Sequence, residues 1–318
     1  MRLLARLLLI TSTLCSCVII HAQENLMTAP ELKFASQEEA IQLLSSEDAF
    51  TRVLSPFDID ARVGEASSTL AQLMEIFRSE ARVWSDEEKT LIRESVSRVY
   101  DSMTAKGMAW PLSSALTFVK TTTKEEGGAA GYTRGEYIVL GPAVSSMPST
   151  SLDGLVAHEL FHVISRQRPD LRERLYAEIG FSLMDEVSYP EGLSRYRITN
   201  PDATQTDNYI RLDVAEQSVP CMMILYAKGD YAGGSFFQYL QTGFLQLSDE
   251  DLTPVMTDEG PLIHSLQEVS GFFEQVGKNT QYIIHPEEIL ADNFSMLILG
   301  KAGLPDADLL EKIKKVFL

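Results

Sequence analysis

In "LVAHELFHVIS", Leu155 to Ser165, His158 and His162 stand four residues apart, and Glu159 directly follows the first. Residues four apart on a helix lie one turn above each other on one face, so two imidazoles at this spacing can reach one ion. H-E-x-x-H on a helix is a zinc-binding arrangement in which the glutamate serves as general base. Zinc in such a site brings the pKa of bound water to ~7 and polarises a carbonyl under attack. Apart from Glu159 and the histidines, residues 155–165 contain no charge, no proline and no glycine, as expected for a buried helix. Two ordinary core histidines would leave Glu159 buried without an evident partner, which is costly.

Catalytic zinc takes three protein ligands and keeps one position open. One extension of the motif places a glycine three residues after the second histidine and another histidine three further on. Ser165 and Arg168 occupy those positions, so that arrangement is excluded. Another takes a glutamate from a later helix, with an aspartate one turn on. Of the glutamates after His162, only Glu288 has an aspartate four residues later, in "EILAD" with Asp292. Pro286 suits the first turn of a helix there, and Ile289, Leu290, Phe294, Leu297 and Ile298 supply an apolar stripe.

With "HELFH" and "EILAD", the chain resembles the gluzincin zinc metallopeptidases from about Leu116 to Phe294. The resemblance implies zinc held by His158, His162 and Glu288, with Glu159 as base and Asp292 as supporting carboxylate. It implies a peptide or protein substrate, cleaved by a zinc-activated water whose proton Glu159 takes and passes to the leaving amine. An oxyanion donor is also needed. His285, three residues before Glu288, is the first candidate, followed by His264, Tyr231, Tyr282 and Arg195. His162 and Glu288 are 126 residues apart, so the fold must accommodate an insertion, and the G-x-M-E-N signature of one aminopeptidase branch is absent. A zinc amidohydrolase acting outside peptides would use the same chemistry. A binding protein with an inactive zincin fold would have no need of Glu159.

The elements that must position these residues form an expected α+β domain of zincin type over 111–318, preceded by a helical segment over 23–110. "SQEEAIQLLSSEDAFTRVL" and "ASSTLAQLMEIFRSEARVW" repeat apolar residues at helical spacing, and Ser85 with Glu88 has the form of a capping box that opens a third helix. This segment could be a lid, a removable pro-segment or part of the same core. "ALTFVKTTTK" and "EYIVLG" read as two strands joined by a hairpin or longer loop through "EEGGAAGYTRG". "EYIVLG", the last strand before the motif helix, would be the edge that receives an extended substrate, with "AAGYTRG" bordering the cleft. Leu171 to Asp258 reads as helices and loops, with a turn at "ITNPDATQTDNY". Two helices, "HPEEILADNFSMLILGKAG" and "PDADLLEKIKKVF", finish the chain.

Composition sets the remaining bounds. The 318 residues are 45% hydrophobic and 23% charged, which excludes wholesale disorder. Arg2 and Arg6, an apolar run from Leu7 to Ile20, and Ala22 together read as a signal peptide over 1–22. That implies a secreted or periplasmic protein with no membrane span after signal removal. Lipid anchoring at Cys17 in "LCSC" is the alternative. Cys221 is then the only cysteine left, so no internal disulfide is available. Net charge is −18 for the full chain, and −20 (25 minus 45) once Arg2 and Arg6 leave with the signal. So acidic a surface repels phosphate backbones and argues against nucleic acid.

Overall fold

Each of the first five helices opens on a reciprocal capping box, and these caps cut the N-terminal segment into short pieces. A computed structural model describes residues 30–318; the expected signal peptide, with Cys15 and Cys17, lies outside the described residues. Strand β1 (Leu32–Phe34) leads into α1 (Gln37–Leu44), α2 (Ala49–Arg52), α3 (Pro56–Val63), α4 (Leu70–Glu80) and α5 (Asp86–Ala105). The cap residues are Ser36, Asp48, Ser55, Thr69 and Ser85. A side-chain cap of this kind is worth ~1 kcal/mol. "SQEEAIQLLSSEDAFTRVL", whose periodicity suggests one helix, therefore breaks where Asp48 starts a second one.

The next strands are β2 (Leu116–Lys120), β3 (Gly131–Arg134) and β4 (Tyr137–Leu140), and with β1 they form a sheet in the order β1-β2-β4-β3. β1, β2 and β4 run parallel and β3 is antiparallel to β4. This corrects two expectations. "TFVK" and "YIVL" are parallel neighbours rather than a hairpin, and the edge strand is β3, hidden inside the presumed loop. The true hairpin turns at Gly135, whose φ of 56° suits glycine.

The motif lies on α6 (Ser149–Gln167), followed by α7 (Pro169–Glu178). Where helices and loops are expected, the chain instead builds a second, antiparallel sheet. Its strands are β5 (Phe181–Leu183), β6 (Asn208–Val214), β7 (Gln217–Ala227) and β8 (Leu240–Gln246). A small ribbon of β9 (Met256–Thr257) and β10 (Gly260–Pro261) precedes β11 (Ile263–His264), and the sheet order is β11-β8-β7-β6-β5. The turn between β6 and β7 is Ala215-Glu216, both at positive φ (47° and 68°). Hairpin turns of this kind favour Asn-Gly, so this one carries no sequence signal. The chain closes with α8 (Phe272–Val276), α9 (Pro286–Leu299) and α10 (Ala307–Val316).

The result is a mixed α+β fold. Its main core joins Val96 and Val99 of α5, Phe118 and Ile138 of the first sheet, Val156 and Leu160 of α6, and Ile289 and Phe294 of α9. Helix α6 buries residues on nearly every side, as expected of a helix that is apolar all round. Because β1 completes a sheet and α5 packs on α6, these two N-terminal elements share the core of the motif helix, while α1, α2 and α4 pack in a second cluster with Val119, Tyr132 and Val139. No helix among the described residues is long and apolar enough to cross a membrane.

Candidate metal centre

Helices α6 and α9 pack against each other and bring the two distant motifs together. The ligand atoms offered by His158, His162 and Glu288 lie within 4.8 Å of one another, so these residues could hold a metal ion. Glu288 Oε2 is 3.0 Å from His158 Nε2 and 3.6 Å from His162 Nε2. Ligands ~2.0–2.1 Å from a tetrahedral ion would stand about 3.3 Å apart, and the observed spacings bracket that value. The other oxygen, Glu288 Oε1, accepts from Asn200 Nδ2.

The far side of each ring is held by another carboxylate. His158 Nδ1 is 3.0 Å from Asp292 Oδ1, and His162 Nδ1 is 3.4 Å from Glu287 Oε1. Thr280 donates to Asp292, while Ser165 and Tyr176 donate to Glu287. Carboxylates behind the rings fix the tautomer with the proton on Nδ1. In that tautomer both Nε2 atoms point lone pairs at a carboxylate oxygen, a convergence that either a proton or a metal cation relieves. Consistent with this, His162 Nε2 is buried without a hydrogen-bond partner. Two imidazole nitrogens and one carboxylate oxygen form a donor set suited to zinc.

Electrostatics around the cluster point the same way. Burial opposes charge on His158, but Asp292 and Glu288 outweigh it and raise its pKa well above the usual value. For His162 burial again opposes charge, yet Glu288 and Asp202 push the pKa up to about 10. Burial acts to raise Glu288, but the two imidazoles hold it well below the usual carboxylate range. Positive charge is thus favoured between these three groups, whether protons or a metal ion supply it.

Glu159 stands beside the cluster, buried, with Oε2 accepting from Thr133 Oγ1 of β3 at 2.8 Å. Burial raises its pKa, and the two imidazoles only partly offset this. Asp202 sits close by, its pKa raised strongly by burial and then by the charge of Glu159. With Glu159 and His162 it forms a second group that could hold a metal ion. Its Oδ1 accepts the outward N–H of Thr133 and so covers that part of the sheet edge.

The cleft over these residues is lined by Ala129, Gly131, His158, Glu159, Tyr282 and Glu288, among others. Among the five candidates for an oxyanion donor, Tyr282 alone lines it. His285, the first choice from sequence, is instead the N-cap of α9, its Nδ1 accepting from Glu287 N–H. It lines a separate small cavity with Arg172 and Tyr176. His264 bonds Gln246, Tyr231 bonds the Gly234 carbonyl, and Arg195 pairs with Asp230.

Sequence reasoning missed Thr133, Asn200, Asp202 and Glu287. Asn200 Oδ1 accepts from Asp202 N–H, a local turn that marks residues 200–202 as ordered. Nothing in that turn signals its approach to "HELFH" in space. Residues 119–170, about one-sixth of the chain, match the model of a family described as the eCIS core domain. The match takes in β2 to α6, including His158, Glu159 and His162, and stops well before Glu288. No curated protein and no solved structure matches the chain.

Proposed function

We propose that this protein is an exported zinc metallopeptidase of zincin-like fold, with His158, His162 and Glu288 holding the metal. The observation that carries this reading is the convergence of three ligand atoms on one point, with Glu159 buried beside them. Zinc, when bound, supplies Lewis acidity, making water a nucleophile near neutral pH and polarising the scissile carbonyl. Glu159 accepts the proton of the attacking water. Its raised pKa helps it pass that proton to the leaving amine. Thr133 orients Glu159 through its hydroxyl. The phenol of Tyr282, whose pKa burial raises, stays protonated and donates to the developing oxyanion.

A peptide substrate is favoured by the edge of β3. Asp202 covers that edge at Thr133, whereas Ala129 to Gly131 borders the cleft. An extended chain can pair there as an added strand. A side chain at Gly131 would crowd Leu140 and the Val139 carbonyl, so glycine suits the close packing of β3 beside the base. Glu159→Gln protein should bind stoichiometric zinc and lose at least about 1,000-fold in peptide hydrolysis, within the range expected of a general base. Full activity in that variant would refute the mechanism. Zinc binding without hydrolysis in the wild type would favour a binding protein.

A further inference from the structure

A second recess opens beside the metal cleft and shares Ala129, Gly131, Asp202 and Tyr282 with it. Ile198, Leu225, Phe236, Phe237, Leu240 and Ile284 form its apolar wall, and the rest of its lining includes Arg62, Glu126, Asn200 and Asp202. The space inside is about 100 Å³. A closed cavity of ~150 Å³ accepts a whole benzene ring; this recess is smaller but open toward the cleft, so it takes a branched aliphatic group or a ring inserted part-way. Phe237 in the recess and Tyr282 at its junction with the cleft leave apolar surface exposed, 54% and 46% respectively.

The polar groups on the Arg62 side of the recess are committed to one another. Arg62 Nε and Nη2 each donate to Glu126, Nη2 also to the Thr199 carbonyl, and Nη1 to Asp58. Asp58 is further occupied by the N–H groups of Ser55 and Thr199. The guanidinium lies 5.1 Å from the Phe236 ring centroid and closes that wall by a cation–π contact. A lysine or glutamate tip entering on that side would find these partners already committed and would lose its own hydration; only Asp202, at the junction with the cleft, could meet a cation.

We propose that this recess is the specificity pocket of the proposed peptidase, receiving one aromatic or branched aliphatic side chain next to the scissile bond. The inference rests on the peptidase reading for its substrate, but its test does not depend on turnover. Zinc-loaded Glu159→Gln protein is titrated with labelled alanine-based peptides carrying a single guest residue: Phe, Leu, Ala, Lys or Glu. Phe or Leu guests should bind at least tenfold tighter than Ala, Lys or Glu guests. Adding Leu240→Trp, which fills the recess, should abolish that preference while the Ala peptide stays within twofold. Should that variant fold poorly, the guest series on the unfilled pocket still decides. Equal binding of all guests, tightest binding of Lys, or no binding of any peptide would overturn the pocket. The same peptides given to wild-type protein separate the two ideas. Cleavage without guest preference defeats the pocket alone, whereas preferential binding without cleavage defeats the peptidase reading alone.

Discussion

His162 and His285 both meet the first turn of α9, both are buried, and their pKa values move in opposite directions. Burial pulls both down. At His162 the carboxylates of Glu288, Asp202 and Glu287 overcome it and carry the pKa to about 10. At His285 burial prevails, with Arg172 nearby, and the pKa falls to about 4. Partners, more than depth, separate a ring prepared for a cation from a neutral ring used as a cap. Neighbouring residues 287 and 288 divide the work on α9: Glu288 closes on the two Nε2 atoms, and Glu287 braces one ring from behind.

The hardest test of this contrast is to remove one member of the cluster. Glu288→Ala should weaken zinc binding by more than the ~100-fold upper limit seen for supporting carboxylates. Metal analysis after dialysis against a weak chelator reads this directly; retention of one zinc per chain would assign the third ligand elsewhere. Smaller losses should follow when the ring supports are weakened. Asp292→Asn and Glu287→Gln should each cost ~10–100-fold in zinc affinity, because each loosens the orientation of one imidazole. If neither variant changes affinity, the carboxylates serve packing alone.

His285→Asn should leave zinc affinity within a factor of about two, because asparagine also accepts at an N-cap. His285→Ala should in addition cost ~1 kcal/mol of stability, measured by denaturant unfolding, from the lost cap. Loss of metal from the Asn variant would mean that His285 belongs with the cluster after all, as its place three residues before Glu288 first suggests.

How far the sequence carries depends on whether a feature is local. The meeting of His158, His162 and Glu288 is legible because each half is a pattern on one helix: four residues from His158 to His162, and four from Glu288 to Asp292. Capping boxes are equally local, and Ser85 with Glu88 forms as its spacing implies. The second sheet is not legible. Its β6–β7 turn uses Ala215-Glu216 where glycine or asparagine is the usual marker. Strand β3 is only four residues long and sits in a glycine-rich stretch, so it reads as loop. Asp202 and Thr133 meet through tertiary packing between residues 69 apart, and no periodicity records such a contact.

The subtlest test follows protons rather than metal, in chelator-treated protein. His162 holds its proton up to about 10 when folded, against an ordinary value of 6.5. Its contribution to stability is therefore fully present below 6.5 and is lost as pH rises from there through about 10. His285 does the reverse: folded it resists protonation down to about 4, so stability present above 6.5 is lost as pH falls toward that value. Within its window each group sets a slope of up to ~1.4 kcal/mol per pH unit. His285→Asn should flatten the acid limb of a Tm-against-pH curve and leave the alkaline limb alone, whereas His162→Gln should flatten the alkaline limb and also weaken the acid one, because Glu287 and Glu288 lose the ring that holds their pKa values down. Zinc binds the deprotonated rings, so the Tm gain on adding it should grow with pH across the alkaline window. If His162→Gln leaves the alkaline limb unchanged, or His285→Asn flattens it, the two histidines do not differ as their partners imply.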